Sequence, residues 1–214
     1  MPHSNTWNDY HRWYYNTEVW EHVRFLGVPC NKSVSDMWNY QEILFELQPA
    51  LIVEFGTRFG GSALFFSVTG RAINPELRVL SVDVRHDEVD PKVFEDQAVS
   101  LLTTSSVDPA VVLCIRELRE QYPGKVFFIL DSDHSKSHVL AELESLRPVV
   151  QSGDYLVVED SNINGNPVLP GWGEGPMEAI QTYFEQYPAD YRHDKEREQK
   201  FGFTFAPSGF LIRN

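Results

Sequence analysis

The sequence predicts a doubly wound α/β domain built on a mostly parallel sheet. Short apolar runs of strand length alternate with segments whose apolar residues recur at helical spacing, which is the pattern of consecutive β–α–β units. Carboxylates come directly after four of the five runs, at the ends where such a sheet gathers its ligand-binding residues. A glycine-bearing turn follows the first run. Together these observations predict a cleft beyond the carboxyl ends of the strands.

The composition is that of a folded protein and not of a disordered one. Apolar residues make up 42% of the 214 residues and charged residues 23%, which suits one domain with a single core. The formal net charge of −13 argues against nucleic acid as a partner, because phosphates need a basic surface. No apolar run approaches the ~18 residues of a membrane span, and residues 1–15 lack the pattern of a signal peptide. We therefore expect a cytoplasmic protein that acts on a small molecule.

The N-terminal part, residues 1–48, predicts a helical extension to a main domain at residues 49–214. Aromatic residues crowd residues 6–25, which predicts a helix that packs as a hydrophobic clamp. Its aromatic surface predicts a subunit contact, and hence a homo-oligomer. Ser35 and Asp36 predict the N-cap of a second helix, which Pro49 ends.

Strands and helices alternate through the main domain. We predict strands at residues 51–53, 79–82, 98–102, 126–130 and 155–158. We predict helices at residues 63–69, 109–122, 136–146 and 176–187, with a polar loop up to residue 96. The Gly-, Pro- and Asn-rich residues 162–175 are long enough for an active-site loop. Residues 201–205 and 209–212 predict an antiparallel pair that caps one edge of the sheet.

The turn after the first strand suits a cofactor. Its sequence, E-F-G-T-R-F-G-G-S, places Gly56, Gly60 and Gly61 where a ligand could approach the backbone, but it is not the dinucleotide fingerprint GxGxxG. Asp83 ends the second strand, where such folds bind ribose hydroxyls with a carboxylate. Turn and acid together predict a ribose-bearing cofactor, and an ordinary turn carboxylate is the alternative for Asp83.

Carboxylates also end two strands that should be neighbours. Asp131 follows one of them, and Glu159 and Asp160 follow the other. Without a basic partner in the sequence, these three would repel one another unless a cation lay among them. Hard oxygen ligands suit Mg²⁺, with Mn²⁺ or Ca²⁺ as competitors. The alternative is a set of solvated acids.

His134 is the candidate general base, because it follows Asp131 by three residues and an imidazole can take a proton near neutral pH. The alternative is a helix-start histidine with local hydrogen bonds. Lys136 is a weaker base candidate, and we expect His138 on a helix surface. Four further residues are candidates for an acceptor pocket, with core or lid packing as the alternative: Tyr10, Trp13, Trp172 and Met177.

Seven motifs distributed over residues 26–213 carry a resemblance to a known family. They are L-G-V-P, D-M-W-N-Y-Q-E-I-L, L-I-V-E-F-G-T-R-F-G-G-S-A-L-F-F, L-S-V-D, D-S-D-H-S, L-V-V-E-D-S-N-I-N-G and F-T-F-A-P-S-G-F-L-I-R. With them the chain resembles the cephalosporin hydroxylase / rhamnosyl O-methyltransferase family of S-adenosylmethionine-dependent methyltransferases. The resemblance implies the Rossmann-like fold of class I methyltransferases, with S-adenosylmethionine and Mg²⁺ as cofactors.

The resemblance also implies roles for particular residues. The implied cofactor-binding residues are Glu54, Gly56, Thr57, Gly60, Gly61, Ser62 and Asp83, and we expect Ser105 and Asp133 beside the same cofactor. The D-x-x-H and E-D pattern is similar to metal-dependent macrolide-sugar O-methyltransferases, in which two aspartates and a glutamate hold Mg²⁺ and the histidine is the base. Asp131, Glu159, Asp160 and His134 fall on those places. D-S-D-H leaves open whether Asp131 or Asp133 is the ligand.

We therefore predict an S-adenosylmethionine-dependent, Mg²⁺-assisted O-methyltransferase for a hydroxyl of a small molecule, such as a sugar or a secondary metabolite. Two alternatives stay open. One is a hydroxylase, although a non-haem iron triad needs two histidines and the sequence offers no second one at a matching strand end. The other is a catalytically silent subunit of a biosynthetic enzyme.

Overall fold

The computed structural model describes residues 6–214. The first five residues of the predicted extension, His3 among them, lie outside the described residues. The described elements, in chain order, are α1 (Thr6–Asn16), a 3-10 helix (Val19–His22), β1 (Arg24–Phe25), β2 (Val28–Pro29), α2 (Val34–Leu47), β3 (Leu51–Phe55), α3 (Gly61–Arg71), β4 (Arg78–Asp83), α4 (Pro91–Glu95), β5 (Val99–Thr103), α5 (Pro109–Gln121), β6 (Val126–Leu130), α6 (Lys136–Leu146), β7 (Tyr155–Val158), α7 (Pro176–Gln186), β8 (Tyr191–His193), α8 (Lys195–Gln199) and β9 (Phe210–Arg213).

One seven-stranded sheet organises the chain, in the order β5-β4-β3-β6-β7-β9-β8, and β1 pairs with β2 in a separate hairpin. The strands from β5 to β7 are parallel, and β9 and β8 continue the sheet antiparallel at one edge. This confirms the predicted doubly wound, mostly parallel sheet with an antiparallel C-terminal end. The chain order reverses between β3 and β6, and folds of this kind bind ligands beyond the strands at that point.

Strand β3 shows why the apolar runs become central strands. All five of its residues are buried, because helices cover both faces of the sheet. Leu51, Val53 and Phe55 face a core completed by α5, α6 and α7, whereas Ile52 faces a core completed by α2 and α3. The predicted helices supply the apolar faces that pack against the strands. Helix α5 begins after Asp108, whose side chain accepts a hydrogen bond from the Ala110 amide.

Helix α2 begins before its predicted cap. It starts at Val34, so the predicted N-cap at Ser35 and Asp36 is wrong by two residues. Asp36 is instead buried inside the first turn, where it accepts hydrogen bonds from Thr204 Oγ1 at 2.6 Å and from the Phe205 amide at 2.8 Å. Burial raises the pKa of Asp36 to about 6 despite these bonds. This carboxyl therefore joins α2 to the chain just before β9.

Two further predictions, one of a strand and one of a loop, are also wrong. The predicted strand at residues 201–205 does not form, and β9 pairs instead with β8. Phe203 and Phe205 turn toward α1, with ring centroids 5.4 Å from Tyr10 and 5.5 Å from Tyr15, respectively. The predicted polar loop up to residue 96 contains the short helix α4, which Asp90 caps. Aromatic packing against α1 therefore replaces strand pairing in this segment.

The N-terminal elements pack on the sheet in two ways. Helix α2 contributes Met37, Tyr40, Ile43 and Leu44 to the core, whereas the aromatic side of α1 lies on Phe203 and Phe205. The homo-oligomer expected from the aromatic surface stays a prediction, as does the domain boundary at residue 48. Within residues 6–214, none of the helices is long and apolar enough to cross a membrane.

Candidate active site

A cavity of about 600 Å³ opens at the carboxyl ends of the parallel strands. Its wall includes a residue at or just after the end of each of the five parallel strands: Gly56, Asp83, Ser105, Asp131 and Glu159. Because the ends of parallel strands meet at one edge of the sheet, five segments far apart in sequence converge here. The cavity lies where the sequence places the candidate chemistry.

Two glycines allow the turn after β3 to fit its surroundings. Gly56 has a φ of +96°, and a Cβ there would lie 1.8 Å from the backbone oxygen of Asp131. A Cβ on Gly61 would lie 2.2 Å from the backbone oxygen of Pro29. A side chain at either position would therefore displace backbone, and the turn must have glycine to stay close to β6 and to the loop after β2.

Asp83 holds this turn as well as lining the cavity. Its Oδ2 accepts hydrogen bonds from the backbone amides of Thr57 at 2.9 Å and Arg58 at 3.1 Å. Its Oδ1 has only a long contact, 3.4 Å, to the Arg85 amide. One oxygen thus fixes the turn, and the other is left for a ligand.

The structure divides the predicted cofactor residues into two groups. Those that line the cavity are Gly56, Asp83, Ser105 and Asp133. The others lie beneath the turn and do not line the cavity: Glu54, Thr57, Gly60, Gly61 and Ser62. In this second group, Thr57 shares hydrogen bonds with Ser81 and His86. Burial raises the pKa of Glu54 to about 7. These residues shape the turn rather than its exposed surface.

Asp131, Asp160 and His134 form a compact group at the cavity, and with Glu159 they make up what we call the acidic wall. One ligand atom from each member of the compact group lies within 4.8 Å of the others. His134 Nε2 is 3.4 Å from Asp131 Oδ1 and 3.2 Å from Asp160 Oδ2, yet among the described residues it has no partner with hydrogen-bond geometry. Asp133 stays outside the group, because its Oδ1 accepts a hydrogen bond from the Ser135 amide at the start of α6. The geometry brings Asp131, and not Asp133, beside the histidine.

A buried lysine that the sequence analysis missed supports this acidic wall. Lys32 Nζ lies 2.6 Å from Asp131 Oδ2 and 2.8 Å from Glu159 Oε1, and Tyr40 donates its hydroxyl to the same Glu159 oxygen at 3.0 Å. The expectation that the three carboxylates lack a basic partner is therefore wrong. No spacing rule links Lys32 to Asp131, 99 residues away. The L-G-V-P motif just before it was the only local signal.

The acidic groups of the wall outnumber its basic groups. Burial raises the pKa of Glu159 to about 8 and also raises that of Asp160, against the influence of Lys32 and His134, respectively. For His134, burial lowers the pKa, but Asp160 and Asp131 outweigh it and raise the value to about 9. Three carboxylates face one ammonium and one imidazole, so a further positive charge would be stabilised here.

A further buried carboxylate, that of Glu142 on α6, fixes two hydroxyls of the cavity wall. Ser106 and Ser132 each donate a hydrogen bond to Glu142 Oε1, and Glu142 is fully buried. His138 Nε2 lies 2.8 Å from Ser106 Oγ, which can only accept, because its proton goes to Glu142. His138 therefore lines the cavity, and its predicted place on the helix surface is wrong. The i, i+4 spacing of His138 and Glu142 was the signal for this network.

Aromatic side chains form the outer wall. Trp172 lines the cavity, together with Tyr15, Trp20 and Phe205, which the sequence analysis did not select. Tyr15 and Trp20 stack with ring centroids 5.5 Å apart. The other candidates for the acceptor pocket, Tyr10, Trp13 and Met177, do not line the cavity. Neither does Lys136, which pairs with Glu174 at 2.9 Å.

Comparisons with known proteins agree with this architecture. The family model for rhamnosyl O-methyltransferase/CmcI matches residues 17–214. The chain is 58% identical over 206 residues to a rhamnosyl O-methyltransferase of Mycobacterium tuberculosis (strain ATCC 25618 / H37Rv), which covers 96% of this chain and 84% of that protein. It is 54% identical over 212 residues to a rhamnosyl O-methyltransferase of Mycobacterium leprae (strain TN), covering 99% and 92%, respectively.

Solved structures share the fold. A structure of CmcI with Mg and SAM superposes with a TM-score of 0.69 at 18% sequence identity, over 91% of this chain and 77% of that one. An O-methyltransferase from Bacillus cereus in complex with SAH superposes with a TM-score of 0.56 at 13% identity, over 85% and 82%. At these identities the likeness concerns the arrangement of the elements.

Proposed function

The chain belongs to the rhamnosyl O-methyltransferase/CmcI family, and from this premise we propose that it is an S-adenosylmethionine-dependent, Mg²⁺-assisted O-methyltransferase. Its acceptor is a hydroxyl of a small molecule, and the names of its relatives suggest a rhamnosyl sugar. One observation carries the proposal. A single cavity is lined both by Gly56 of the glycine turn with Asp83, which we call the first wall, and by the acidic wall with Asp131, His134 and Asp160, which we call the second wall.

The first wall suits the cofactor. Gly56 presents backbone without a side chain, so a ligand can approach the turn closely. Asp83 keeps one oxygen free of short hydrogen bonds, and an ionised carboxylate is a strong acceptor for ribose hydroxyls. Ser105 and Asp133 extend the same wall. We assign these four residues to S-adenosylmethionine and the buried residues of the turn to the support of that surface.

The second wall suits a divalent cation. Asp131 and Asp160 offer hard oxygen donors close together, and Glu159 also lines the cavity. His134 Nε2 lies buried beside the two aspartates without a hydrogen-bond partner among residues 6–214, so it is available to a hydroxyl of a bound acceptor. We assign Asp131, Glu159 and Asp160 as the residues that would hold Mg²⁺.

The residues of the chain divide the remaining work. When bound, S-adenosylmethionine supplies an electrophilic methyl group and Mg²⁺ supplies charge that lowers the pKa of an acceptor hydroxyl. His134 Nε2 accepts the proton of that hydroxyl once Asp131 and Asp160 are engaged elsewhere, because these two carboxylates otherwise keep the imidazole protonated. Trp20 and Trp172 hold the acceptor and exclude water from it.

The donor set favours methyl transfer over the hydroxylase alternative. A non-haem iron oxygenase needs two histidines and one carboxylate on its metal. The group that the described residues form at the cavity has the reverse composition, one histidine and two carboxylates. A catalytically silent subunit would not need this arrangement at all.

Calorimetric titration with S-adenosylhomocysteine tests the proposal. The wild-type protein should bind it with micromolar affinity, and Asp83→Asn should weaken binding roughly 10–100-fold, the scale of a lost charged hydrogen bond. Asp87→Asn is the matched control, because Asp87 is an exposed carboxylate in the same loop. Binding should be followed by formation of S-adenosylhomocysteine from S-adenosylmethionine when a methyl rhamnoside and Mg²⁺ are added. A wild-type protein that binds no S-adenosylhomocysteine would exclude the proposed function.

A further inference from the structure

Lys32 is an unusual residue, because it is charged, almost completely buried and outside the cavity. Its side chain is 2% exposed, and it does not line the wall that Asp131 and Glu159 form. The close approach of Pro29 to Gly61 holds its loop against α3. Burying a lysine is unfavourable unless its charge is paired, and Lys32 is paired with the two carboxylates. Its position is therefore fixed from behind the acidic wall.

The contacts of Lys32 are selective among the carboxylate oxygens. Lys32 Nζ donates hydrogen bonds to Oδ2 of Asp131 and to Oε1 of Glu159. The Tyr40 hydroxyl donates to the same Oε1. Asp131 Oδ1 faces His134 at 3.4 Å, and both of the Glu159 contacts, from Lys32 and from Tyr40, go to Oε1, although Glu159 also lines the cavity. Each carboxylate thus has one oxygen committed to the protein interior and one left for the cavity.

We propose that Lys32, assisted by Tyr40, is a positioning residue that makes Asp131 and Glu159 one-oxygen ligands and so selects Mg²⁺ over Ca²⁺. The inference rests on the proposed function, because it takes the acidic wall to be the metal site. It concerns a property that the wall alone does not determine, namely how many oxygens each carboxylate can offer to a cation.

The coordination habits of the two ions give the reason. Ca²⁺ takes six to eight oxygens in a flexible geometry and often binds both oxygens of a carboxylate, whereas Mg²⁺ takes six, keeps several waters and binds through one or two carboxylates. An ammonium that occupies one oxygen of Asp131 and one of Glu159 removes the two-oxygen mode at both. It also offsets part of the negative charge, which affects both ions alike.

Calorimetric titration with MgCl₂ and, separately, with CaCl₂ tests the inference without any need for turnover. The protein is the full chain, treated with EDTA and dialysed, with S-adenosylhomocysteine present throughout. The quantity measured is the ratio of the Mg²⁺ and Ca²⁺ dissociation constants. Loss of a lysine changes the net charge of the site and so affects both dissociation constants alike, and this common effect cancels in the ratio. The ratio therefore reports on the carboxylate oxygens available to each ion.

Two variants and a control separate the possibilities. Lys32→Met should shift the ratio about tenfold toward Ca²⁺, the scale on which partners of metal ligands act. Tyr40→Phe should shift it in the same direction by about threefold, since it removes one hydrogen bond from an uncharged donor and leaves the charge of the site unchanged. Lys125→Met should leave the ratio unchanged, because Lys125 is exposed at the opposite end of β6 and contacts the Ser152 carbonyl.

The outcomes distinguish this inference from the proposed function. Wild-type protein that binds neither ion would remove the metal site of the proposed function, and the inference with it. Wild-type binding together with an unchanged ratio in the folded variants would overturn the inference alone. If Lys32→Met does not fold, as judged by circular dichroism, Tyr40→Phe decides, since a shift toward Ca²⁺ supports the role and an unchanged ratio contradicts it.

Discussion

Two regions of the molecule gather ionised side chains in opposite proportions. At the cavity, three carboxylates share Lys32 and His134. At the far edge of the sheet, the single carboxylate of Asp190 lies 2.7 Å from Arg147 Nε, 2.8 Å from Arg213 Nη1 and 2.8 Å from the Tyr183 hydroxyl. Cations are in excess at the edge, and carboxylates are in excess at the cavity.

The two proportions differ in how many of their carboxyl groups keep a low pKa. Burial tends to raise the pKa of Asp190, but Arg147 and Arg213 overcome it and hold the value well below its usual range. At the cavity, burial raises the pKa of Glu159 and Asp160, and only for Asp131 do Lys32 and His134 outweigh burial and lower the pKa. A satisfied carboxylate stabilises the fold, whereas an unsatisfied group of carboxylates lowers stability and attracts a ligand. The comparison teaches that the balance of charge, and not the number of acids, marks the functional region.

The largest expected effect comes from neutralising an acid at the cavity, compared with the same change at the edge of the sheet. Asp160→Asn should lower the rate of methyl transfer about 10³-fold, since a lost metal ligand removes several kcal/mol of transition-state stabilisation. Asparagine tolerates the left-handed backbone of position 160, where φ is +53°. EDTA treatment of the wild-type protein should cause a similar loss, restored by Mg²⁺. Asp190→Asn is the control and should keep near-normal rates. Equal losses in both variants would abolish the contrast between the regions.

A smaller effect is expected when the base is removed and the acids are kept. His134→Gln should lower kcat about 10²-fold, the range in which a general base contributes, while binding of S-adenosylhomocysteine stays normal. His193→Gln serves as the control. His193 belongs to β8, stacks on Phe184 of α7 and does not line the cavity. Initial rates at saturating S-adenosylmethionine give the comparison. Full activity of His134→Gln would assign proton removal to another group.

The smallest expected effect concerns stability and its dependence on pH. Asp190→Asn should lower the free energy of unfolding by about 1.5–3 kcal/mol at pH 7, the scale of hydrogen bonds to a charged group. The folded pKa of Asp190 lies below its unfolded value of about 3.9, so its contribution is present above pH ~4 and is lost as the pH falls further.

Urea unfolding at pH 7 and pH 3 measures this difference. The gap between wild type and Asp190→Asn should narrow at the lower pH, whereas Asp87→Asn should match the wild type at both. The same experiment on Asp160→Asn should show no loss of stability, because that change removes one of several like charges. A destabilised Asp160→Asn would mean that the acidic wall contributes to the fold in the way that the edge does.

Much of the fold could be predicted because its signals are local. The central strands are buried on both faces and so appear as continuous apolar runs, and Asp108 with Pro109 marks the start of α5. The same Asp-Pro signal stands at Asp90 and Pro91 and could have revealed α4. Phe203 and Phe205 have the composition of a strand, but their partners are rings of α1, 190 or more residues away. Composition does not distinguish these two kinds of packing.

The site was predictable to the extent that it follows the strand ends. The rule that ligands bind beyond parallel strands locates Asp83, Asp131, Glu159 and Asp160 at one cavity. It does not reach Lys32, which comes from the loop between β2 and α2 and is brought to Asp131 only by tertiary packing. The number of basic groups beside the carboxylates could therefore be determined only from the structure.

The bond between Asp36 and the Thr204–Phe205 segment sets the order in which the cavity can be completed as the chain is made. Asp36 is synthesised early, but its partners follow 168 and 169 residues later. Phe205, which closes the aromatic wall, arrives with them. At ~5–20 residues per second, α1 waits on the order of ten seconds or more for the rings that cover it. The rings of α1 therefore stay without their aromatic partners until nearly all of the described chain has been made.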